Sequence, residues 1–187
     1  MNNALHDFDH SPRNAEEFLA TYEDVDAKVE YVDGKVVVMM TNVTLAHYRT
    51  ASRFVRQLAP LEDDGYLVGG ADFGVQIDED VRHPDVLVFR PKGIEDADRR
   101  TTRPILIGEV LSPATTHIDF GRKAEQDLGV ETLQHYVVLA QAEPIAWVWS
   151  RDDTGRFEAP AVLRSEDDAI ALGAFDLTIP LSVIYRR

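Results

Sequence analysis

Two short runs of almost uninterrupted apolar residues mark the middle of the chain, at 85–89 and at 105–111. Runs of this length without polar alternation are typical of interior strands that are covered on both faces. Other apolar or alternating segments predict further strands at 28–32, 35–40, 66–68, 73–77, 134–140 and 145–150, and weaker ones at 157–163 and 175–179. The pattern therefore predicts a sheet whose centre is buried.

Helical spacing of apolar residues predicts three helices, at 15–21, 41–60 and 116–128. Ser11 or Asn14 is placed to cap the first helix, and Pro60 marks the end of the second. The apolar stripe of the second helix consists of Val43, His47, Ala51, Val55 and Leu58.

The dipeptide Asp33-Gly34 separates the first two predicted strands and favours a two-residue type I′ hairpin turn. Along the chain, the three helices alternate with runs of strands. This order is typical of an α/β or α+β fold, here a single domain with a mixed central sheet and flanking helices. We expect the domain to span 12–187, after a flexible polar tail at 1–11.

Composition narrows the class of protein. With 187 residues, 44% of them apolar and 28% charged, the chain can form one ordinary core. It has no cysteine, which excludes disulfides, thiolate metal sites and cysteine nucleophiles. No apolar run is long enough to span a membrane, and the amino terminus lacks the pattern of a secretory signal. We therefore expect a cytoplasmic protein.

The net charge of −14 is unusual for a protein that coats nucleic acid, because phosphate neutralisation supplies most of that affinity. An acidic chain can still act on nucleic acid if a divalent cation bridges the two. Arg99, Arg100 and Arg103 form the one basic cluster in the sequence, between the two apolar runs. We expect binding to nucleic acid to be weak without the metal.

A carboxylate interrupts each of the two apolar runs. Asp85 follows Pro84 at the start of the first, and Glu109 lies inside the second. Ionised carboxylates at interior strand positions are costly unless they are paired or bound to a cation. Two such side chains on neighbouring strands offer the oxygen ligands that Mg²⁺ prefers, with Mn²⁺ as a substitute. Such an ion can activate water for attack on a phosphodiester.

These residues belong to a recognisable pattern. The chain has Pro84-Asp85, then EVLSPAT at 109–115, then Asp119 and Lys123. Together with VEYVDGKVV at 29–37, this pattern resembles the Uma family of putative restriction endonucleases, which is similar to the PD-(D/E)xK nuclease superfamily. The resemblance extends over about residues 15–180.

The resemblance implies a restriction-endonuclease-like fold, with Asp85 and Glu109 as metal ligands and Glu30 near the same site. The superfamily usually places a lysine two residues after the glutamate, where this chain has Leu111. In the Uma family a lysine on the following helix takes over, which implies a catalytic role for Lys123.

The other residues at the predicted site have supporting roles. Asp119 lies four residues before Lys123 on the predicted helix and would support it. The family also places a histidine at the position of His47.

Structural interpretations compete with each of these roles. In the structural interpretation, Asp85 and Glu109 are strand-edge carboxylates held by backbone N–H groups or an arginine. In the same interpretation, the alternating pattern around Glu30 places it on the solvated face of its strand. Lys123 is alternatively a surface ion pair with Asp119, and His47 a hydrogen-bonded core residue.

Two functions remain open at this point. The first is a Mg²⁺-dependent endonuclease that hydrolyses phosphodiester bonds, in DNA rather than RNA. The second is a catalytically silent binding or assembly protein on a nuclease scaffold. We also expect a homodimer, because Trp147, Val148 and Trp149 give one late strand more aromatic surface than a small sheet can bury.

Overall fold

The structure is a computed structural model that describes residues 11–22, 27–39, 43–111 and 127–186. Its helices are α1 (Ala15–Tyr22), α2 (Leu45–Leu58) and α3 (Leu181–Tyr185), with 3₁₀ turns at Ala59–Asp64 and Gly173–Phe175. The strands of the first half are β1 (Val29–Val32), β2 (Lys35–Val38), β3 (Leu67–Gly69), β4 (Gly74–Ile77), β5 (Asp80–Arg82), β6 (Val86–Phe89) and β7 (Arg100–Thr101). Those of the second half are β8 (Pro104–Leu111), β9 (His135–Ala140), β10 (Ala146–Ser150), β11 (Ala161–Leu163), β12 (Ala169–Leu172) and β13 (Leu177–Pro180).

The described strands divide among three sheets. A six-stranded sheet has the order β11-β10-β9-β8-β6-β3, and a five-stranded sheet has the order β2-β1-β5-β4-β7. Strands β12 and β13 form a separate hairpin. The pair β8–β9 is parallel and its neighbours are antiparallel, so the larger sheet is mixed. The predicted mixed α/β architecture is confirmed, with its strands in three sheets rather than one.

The six-stranded sheet is covered on both faces, as the two apolar runs predict. On one face Val86 and Val88 pack beneath Phe54 of α2 and the C-terminal hairpin. On the other face Leu87 and Phe89 pack in a second cluster that contains Trp149. Alternate residues of β6 thus enter opposite cores, because successive side chains of a strand point to opposite faces.

The five-stranded sheet carries α1 on a smaller core. Phe18 and Tyr22 of α1 pack against Tyr31 and Val81 there. Asn14 caps this helix, since its side chain accepts a hydrogen bond of 2.9 Å from the N–H of Glu17. Of the two predicted caps, the structure therefore uses Asn14.

Local turn chemistry explains the hairpin of β1 and β2. Asp33 and Gly34 have φ values of 53° and 74°, the two positive values that a type I′ turn requires. The register pairs Val32 with Lys35 across the turn. The predicted hairpin is therefore observed, with β2 ending at Val38.

Helix α2 differs from its prediction in extent and in its buried stripe. It begins at Leu45, with Thr44 as N-cap, rather than at residue 41. Its buried residues are Thr50, Phe54 and Leu58, whereas Val43 is exposed. Thr50 and Phe54 each lie one position before a residue of the predicted stripe, Ala51 and Val55. The buried face therefore keeps the 3.6-residue period but is displaced by about one residue.

Several other predictions need correction. Strands β5, β7 and β12 and helix α3 are absent from the elements that the sequence pattern predicts. Almost all of the predicted helix at 116–128 and of the tail at 1–11 lies outside the described residues. Trp149 is buried, and Trp147 packs against the same core as Trp149, so neither supplies the surface on which we based a homodimer.

No helix in the described ranges is both long enough and apolar enough to cross a membrane.

Candidate active site

Asp85 stands at the point where β6 begins and β3 ends. Its backbone packs closely against Gly70. A Cβ added at Gly70 would lie 1.9 Å from the Asp85 carbonyl oxygen. The N–H of Ala71 donates a hydrogen bond of 2.7 Å to the carbonyl of Pro84. This close approach, which only a glycine permits, fixes the direction in which the Asp85 side chain leaves the sheet.

Two donors hold the Asp85 carboxylate. The backbone N–H of Val110 on β8 donates to Oδ2 over 2.9 Å, and Nε2 of His47 lies 3.1 Å from the same oxygen. Burial alone would raise the pKa of Asp85. The bonds from His47 and Val110 outweigh that effect and hold this pKa below its usual value. Asp85 is therefore a carboxylate at neutral pH.

His47 reaches this carboxylate from the first turn of α2. The N-cap side chain of Thr44 accepts a hydrogen bond of 3.2 Å from the His47 N–H, which fixes the start of the helix. The hydrogen bond to Asp85 is the main reason that the pKa of His47 is raised, against the opposing effect of burial. Sequence analysis left His47 as either a core or a site residue, and the structure brings it into contact with Asp85.

Glu109 lies across the strand pair from Asp85. The antiparallel register sets Val86 opposite Gly108. Asp85 directly precedes Val86 and Glu109 directly follows Gly108, so both carboxylates lie at the same end of this strand pair. Glu109 is half-buried, and its charge contributes to the raised pKa values of both His47 and Tyr136. The two carboxylates thus occupy one end of the β6–β8 pair.

Glu30 faces the interior rather than solvent. Its residue is only 5% exposed, and its Oε1 accepts a hydrogen bond of 2.7 Å from the backbone N–H of His83. Because His83 is two residues before Asp85, this bond ties β1 to the segment that carries Asp85. The alternative of a solvated Glu30 is therefore wrong.

Sequence reasoning missed a buried ionic network beside Glu30. Arg82 is 3% exposed, with Nη2 at 2.6 Å from Asp80 Oδ2 and Nη1 at 3.0 Å from Asp127 Oδ1. Burial lowers the pKa of Arg82, but the charges of Asp127, Asp80 and Glu30 more than reverse this effect. Asp80 and Arg82 alternate in the sequence at the spacing of a strand, which is a weak signal of a shared face.

Lys28 is a second residue that sequence analysis did not place at the site. It lies two positions before Glu30, and its charge contributes to the lowered pKa values of both Asp85 and His83. Lys28 therefore adds positive charge close to the carboxylates.

The predicted site residues Lys123 and Asp119 lie outside the described residues. In the ranges that the structure does describe, no three His, Asp or Glu side chains are close enough together to hold one metal ion. Asp85 and Glu109 are the two carboxylates at this end of the β6–β8 pair.

Comparison with known proteins decides the family. A family model with the description "Putative restriction endonuclease", Uma2, matches residues 15–182. This chain belongs to the Uma2 family. The match confirms the resemblance drawn from Pro84-Asp85 and the EVLSPAT segment.

Two uncharacterised proteins are similar to this Uma2 chain. The uncharacterised protein slr1290 of Synechocystis sp. is 28% identical over 182 residues, which cover 91% of this chain and 90% of that protein. A second uncharacterised protein of the same organism, sll1609, is 29% identical over 133 residues, or 68% of this chain and 74% of that protein.

A solved structure shares the fold of this Uma2 chain. The crystal structure of a putative nuclease belonging to DUF820 from Anabaena variabilis has a TM-score of 0.75 to this chain. The match covers 93% of this chain and 98% of that one at 16% sequence identity. At this identity the likeness establishes the fold, which agrees with the restriction-endonuclease-like domain expected from the sequence.

Proposed function

We propose that this Uma2 protein is a metal-dependent endonuclease that hydrolyses phosphodiester bonds of nucleic acid, in DNA rather than RNA. The observation that carries the proposal is that Asp85, directly before β6, and Glu109 on β8 lie at the same end of this strand pair, where the charges of both act on His47. Membership in a family described as restriction endonucleases supports DNA as the substrate. The reaction is attack of water on phosphorus, with no covalent intermediate on the protein.

The residues present fit Mg²⁺, or Mn²⁺ in its place. The donors are carboxylate oxygens, which are the ligands that these hard cations prefer. Both described donors to Asp85 contact Oδ2, so its other oxygen points away from those bonds. Mg²⁺ commonly takes one or two carboxylates and completes its shell with water and substrate phosphate, which agrees with a two-residue site. When bound, the ion would lower the pKa of a coordinated water and neutralise charge on the phosphate.

The remaining residues act on the two ligands or on the substrate. His47 and the N–H of Val110 orient the Asp85 carboxylate and keep it ionised. Glu30 supports the site through the backbone of His83 rather than as a ligand. We assign to Lys123 the positioning of the attacking water and to Asp119 the support of Lys123, as the family resemblance implies.

The substrate and the setting complete the proposal. Nucleic acid binds weakly without the metal, because the net charge of −14 opposes its approach. The protein acts in the cytoplasm as a homodimer.

The experiment combines metal titration with a cleavage assay. We expect Mg²⁺ or Mn²⁺ to raise the melting temperature, and to support cleavage of duplex or single-stranded DNA. Asp85→Asn and Glu109→Gln should each abolish both effects. Asp63→Asn is the matched control, because Asp63 is an exposed carboxylate remote in sequence from both ligands and its loss changes the net charge equally.

The same experiment separates the endonuclease from a silent binding protein. A metal-induced rise in melting temperature that needs Asp85, without cleavage of any DNA or RNA tested, would indicate a scaffold that retains only the metal site. No metal response in the wild-type protein would contradict the proposed function itself.

A further inference from the structure

A cavity of about 90 Å³ lies between α1, the start of β1, β5 and the segment before β7. Its cationic side chains are Lys28, Arg99 and Arg100, and the ring of His83 forms part of the wall. We call it the cationic cavity. None of the described residues that line it is acidic, although the whole chain has 33 acidic and 19 basic side chains.

Strand pairing fixes the two arginines at this cavity. β7 pairs in parallel with β4, so that Gly74 stands opposite Arg100, and the Gly74 N–H donates to the Arg99 carbonyl over 2.8 Å. A Cβ at Gly74 would lie 3.2 Å from Arg100 Cβ and 3.4 Å from the Arg99 carbonyl oxygen. Arg100 is also anchored through Nε, which donates to Gln76 Oε1 over 3.1 Å. The backbones of Arg99 and Arg100, two members of the basic cluster, are therefore held in place by the sheet.

The inner wall of the cavity is apolar. Phe18, Tyr22 and Val81 are 3%, 4% and 2% exposed, and they line the cavity below the cations. Cations against a low-dielectric wall attract an anion more strongly than the same cations surrounded by water, because the field is less screened. The cavity is thus suited to an anionic group rather than to an apolar one.

His83 provides an independent sign of a ligand. Its Nδ1 is buried and has no hydrogen-bond partner within the described ranges. A buried polar atom without a partner is costly, so such atoms commonly mark a place where a water or ligand binds. An oxygen of an anion in the cavity could accept a hydrogen bond from this nitrogen in the corresponding tautomer.

We propose that the cationic cavity binds a phosphate group of the nucleic-acid strand, next to the phosphate that is cleaved at Asp85 and Glu109. His83, which lines the cavity, donates its backbone N–H to Glu30 and is two residues before Asp85, so the cavity adjoins the segment that carries Asp85. Phosphate suits the cavity because Lys and Arg donate charge-assisted hydrogen bonds to several of its oxygens. This assignment of a neighbouring phosphate rests on the proposed endonuclease function.

The test measures binding without metal, so that cleavage plays no part. The probe is a fluorescent single-stranded DNA hexamer, and its anisotropy is followed in EDTA at several salt concentrations. We expect Lys28→Ala and Arg99→Ala each to weaken binding several-fold. Each should also reduce the slope of the logarithm of the binding constant against the logarithm of salt concentration by about 0.7. Arg103→Ala is the matched control, because Arg103 is an exposed arginine close in sequence that does not line the cavity.

Two further arms identify the ligand chemistry. A hexamer with an uncharged methylphosphonate backbone should bind the wild-type protein and the variants equally weakly, and inorganic phosphate should displace the ordinary hexamer. Lys28→Arg, which keeps the charge, should retain affinity. The proposal is overturned if Lys28→Ala and Arg99→Ala, shown by their melting curves to be folded, bind no more weakly than Arg103→Ala.

The double variant Asp85→Asn with Glu109→Gln separates this proposal from the function on which it rests. It should keep the metal-free affinity of the wild-type protein, or exceed it slightly, while it loses metal-stimulated binding and cleavage. Absence of cleavage in the wild-type protein, together with weakened binding of Lys28→Ala, would contradict the endonuclease but leave the phosphate site in place.

Discussion

Asp85 shows how single residues create the site, because nearly every contact of its carboxylate comes from a distant part of the chain. His47 is 38 positions before it and Val110 is 25 after it, yet both donate to the same oxygen. Side chains that orient a metal ligand commonly change metal affinity or activity by about 10–100-fold when they are removed. His47 is the clearest such residue here.

We therefore expect His47→Ala to weaken Mg²⁺ binding by about tenfold or more, because Asp85 then loses one of the two donors that orient it. The measurement is the Mg²⁺ concentration that gives half of the maximal rise in melting temperature. Tyr48→Ala is the control, since Tyr48 is the next residue of α2 and is 63% exposed. An unchanged Mg²⁺ midpoint in His47→Ala would exclude a positioning role.

His135 is a second single residue with a measurable effect, in this case on the stability of the fold. It is 2% exposed, and its Nδ1 lies 3.0 Å from Ser150 Oγ while its Nε2 accepts a bond of 3.2 Å from the Ala174 N–H. Burial lowers the pKa of His135 to about 4, below its ordinary value of 6.5. The unfolded chain therefore binds a proton between these two pH values that the folded protein does not.

This difference predicts a loss of stability in acid. The contribution of His135 to the free energy of unfolding is fully present above pH 6.5 and falls as the pH drops towards 4. We expect this residue to account for a loss of about 2 kcal/mol between pH 7 and pH 5. Urea unfolding at the two pH values measures the change. His135→Gln, which retains an amide for hydrogen bonding, should lose less stability over the same interval. An equal loss in both proteins would show that His135 is not responsible.

At the scale of elements, the approach of β3 to the start of β6 decides where Asp85 lies. Gly69 and Gly70 are adjacent, but their surroundings differ. An added Cβ at Gly69 meets nothing within 4 Å, whereas at Gly70 it meets the Asp85 carbonyl oxygen. The pair therefore provides a matched comparison of two glycine substitutions, of which only one disturbs the site.

We expect Gly70→Ala to lower the free energy of unfolding by about 1–3 kcal/mol, because backbone must move to relieve the clash. It should also reduce the Mg²⁺-induced rise in melting temperature, since Asp85 moves with its carbonyl. Gly69→Ala should change both quantities little. Thermal melts with and without Mg²⁺ measure the two effects, and equal behaviour of the two variants would contradict the proposed coupling between this contact and the site.

For the whole molecule, the surface gives a different basis for a homodimer from the one that the sequence suggested. Five of the seven large apolar side chains that are exposed in the described ranges lie between residues 37 and 48. Val37 and Val38 belong to β2, which is an edge strand of the five-stranded sheet. Exposed apolar edge strands favour association with a second strand.

We expect a second copy of the chain to cover this edge, with a mass in sedimentation of about twice 21.0 kDa. Val38→Lys should shift the protein towards monomer, because a charged side chain on an edge strand opposes pairing. Val162→Lys is the control, since Val162 is exposed on the edge strand β11 of the other large sheet. A wild-type mass near 21.0 kDa at micromolar concentration would rule out the dimer.

Local patterns in the sequence determined much of this protein. The type I′ turn at Asp33-Gly34 and the two interior strands depend on neighbours within a few positions, so they could be predicted from spacing alone, whereas the cap was narrowed only to Ser11 or Asn14. The same patterns drew attention to Asp85 and Glu109, because a carboxylate in an apolar run is conspicuous without any structure. Pro84-Asp85 and the EVLSPAT segment carried the resemblance to the Uma family, and the family model that matches residues 15–182 confirms it.

Only the tertiary structure decided which of these residues meet. The burial of Glu30 depends on the backbone of His83, and the burial of Arg82 depends on Asp127, 45 positions further on. The cationic cavity joins residues from five separate segments. Such contacts depend on strand register and on the packing of one sheet against another, and a change of one residue in register would send each side chain to the opposite face. For this reason the chemistry of single residues could be anticipated from sequence, whereas their assembly into a site could not.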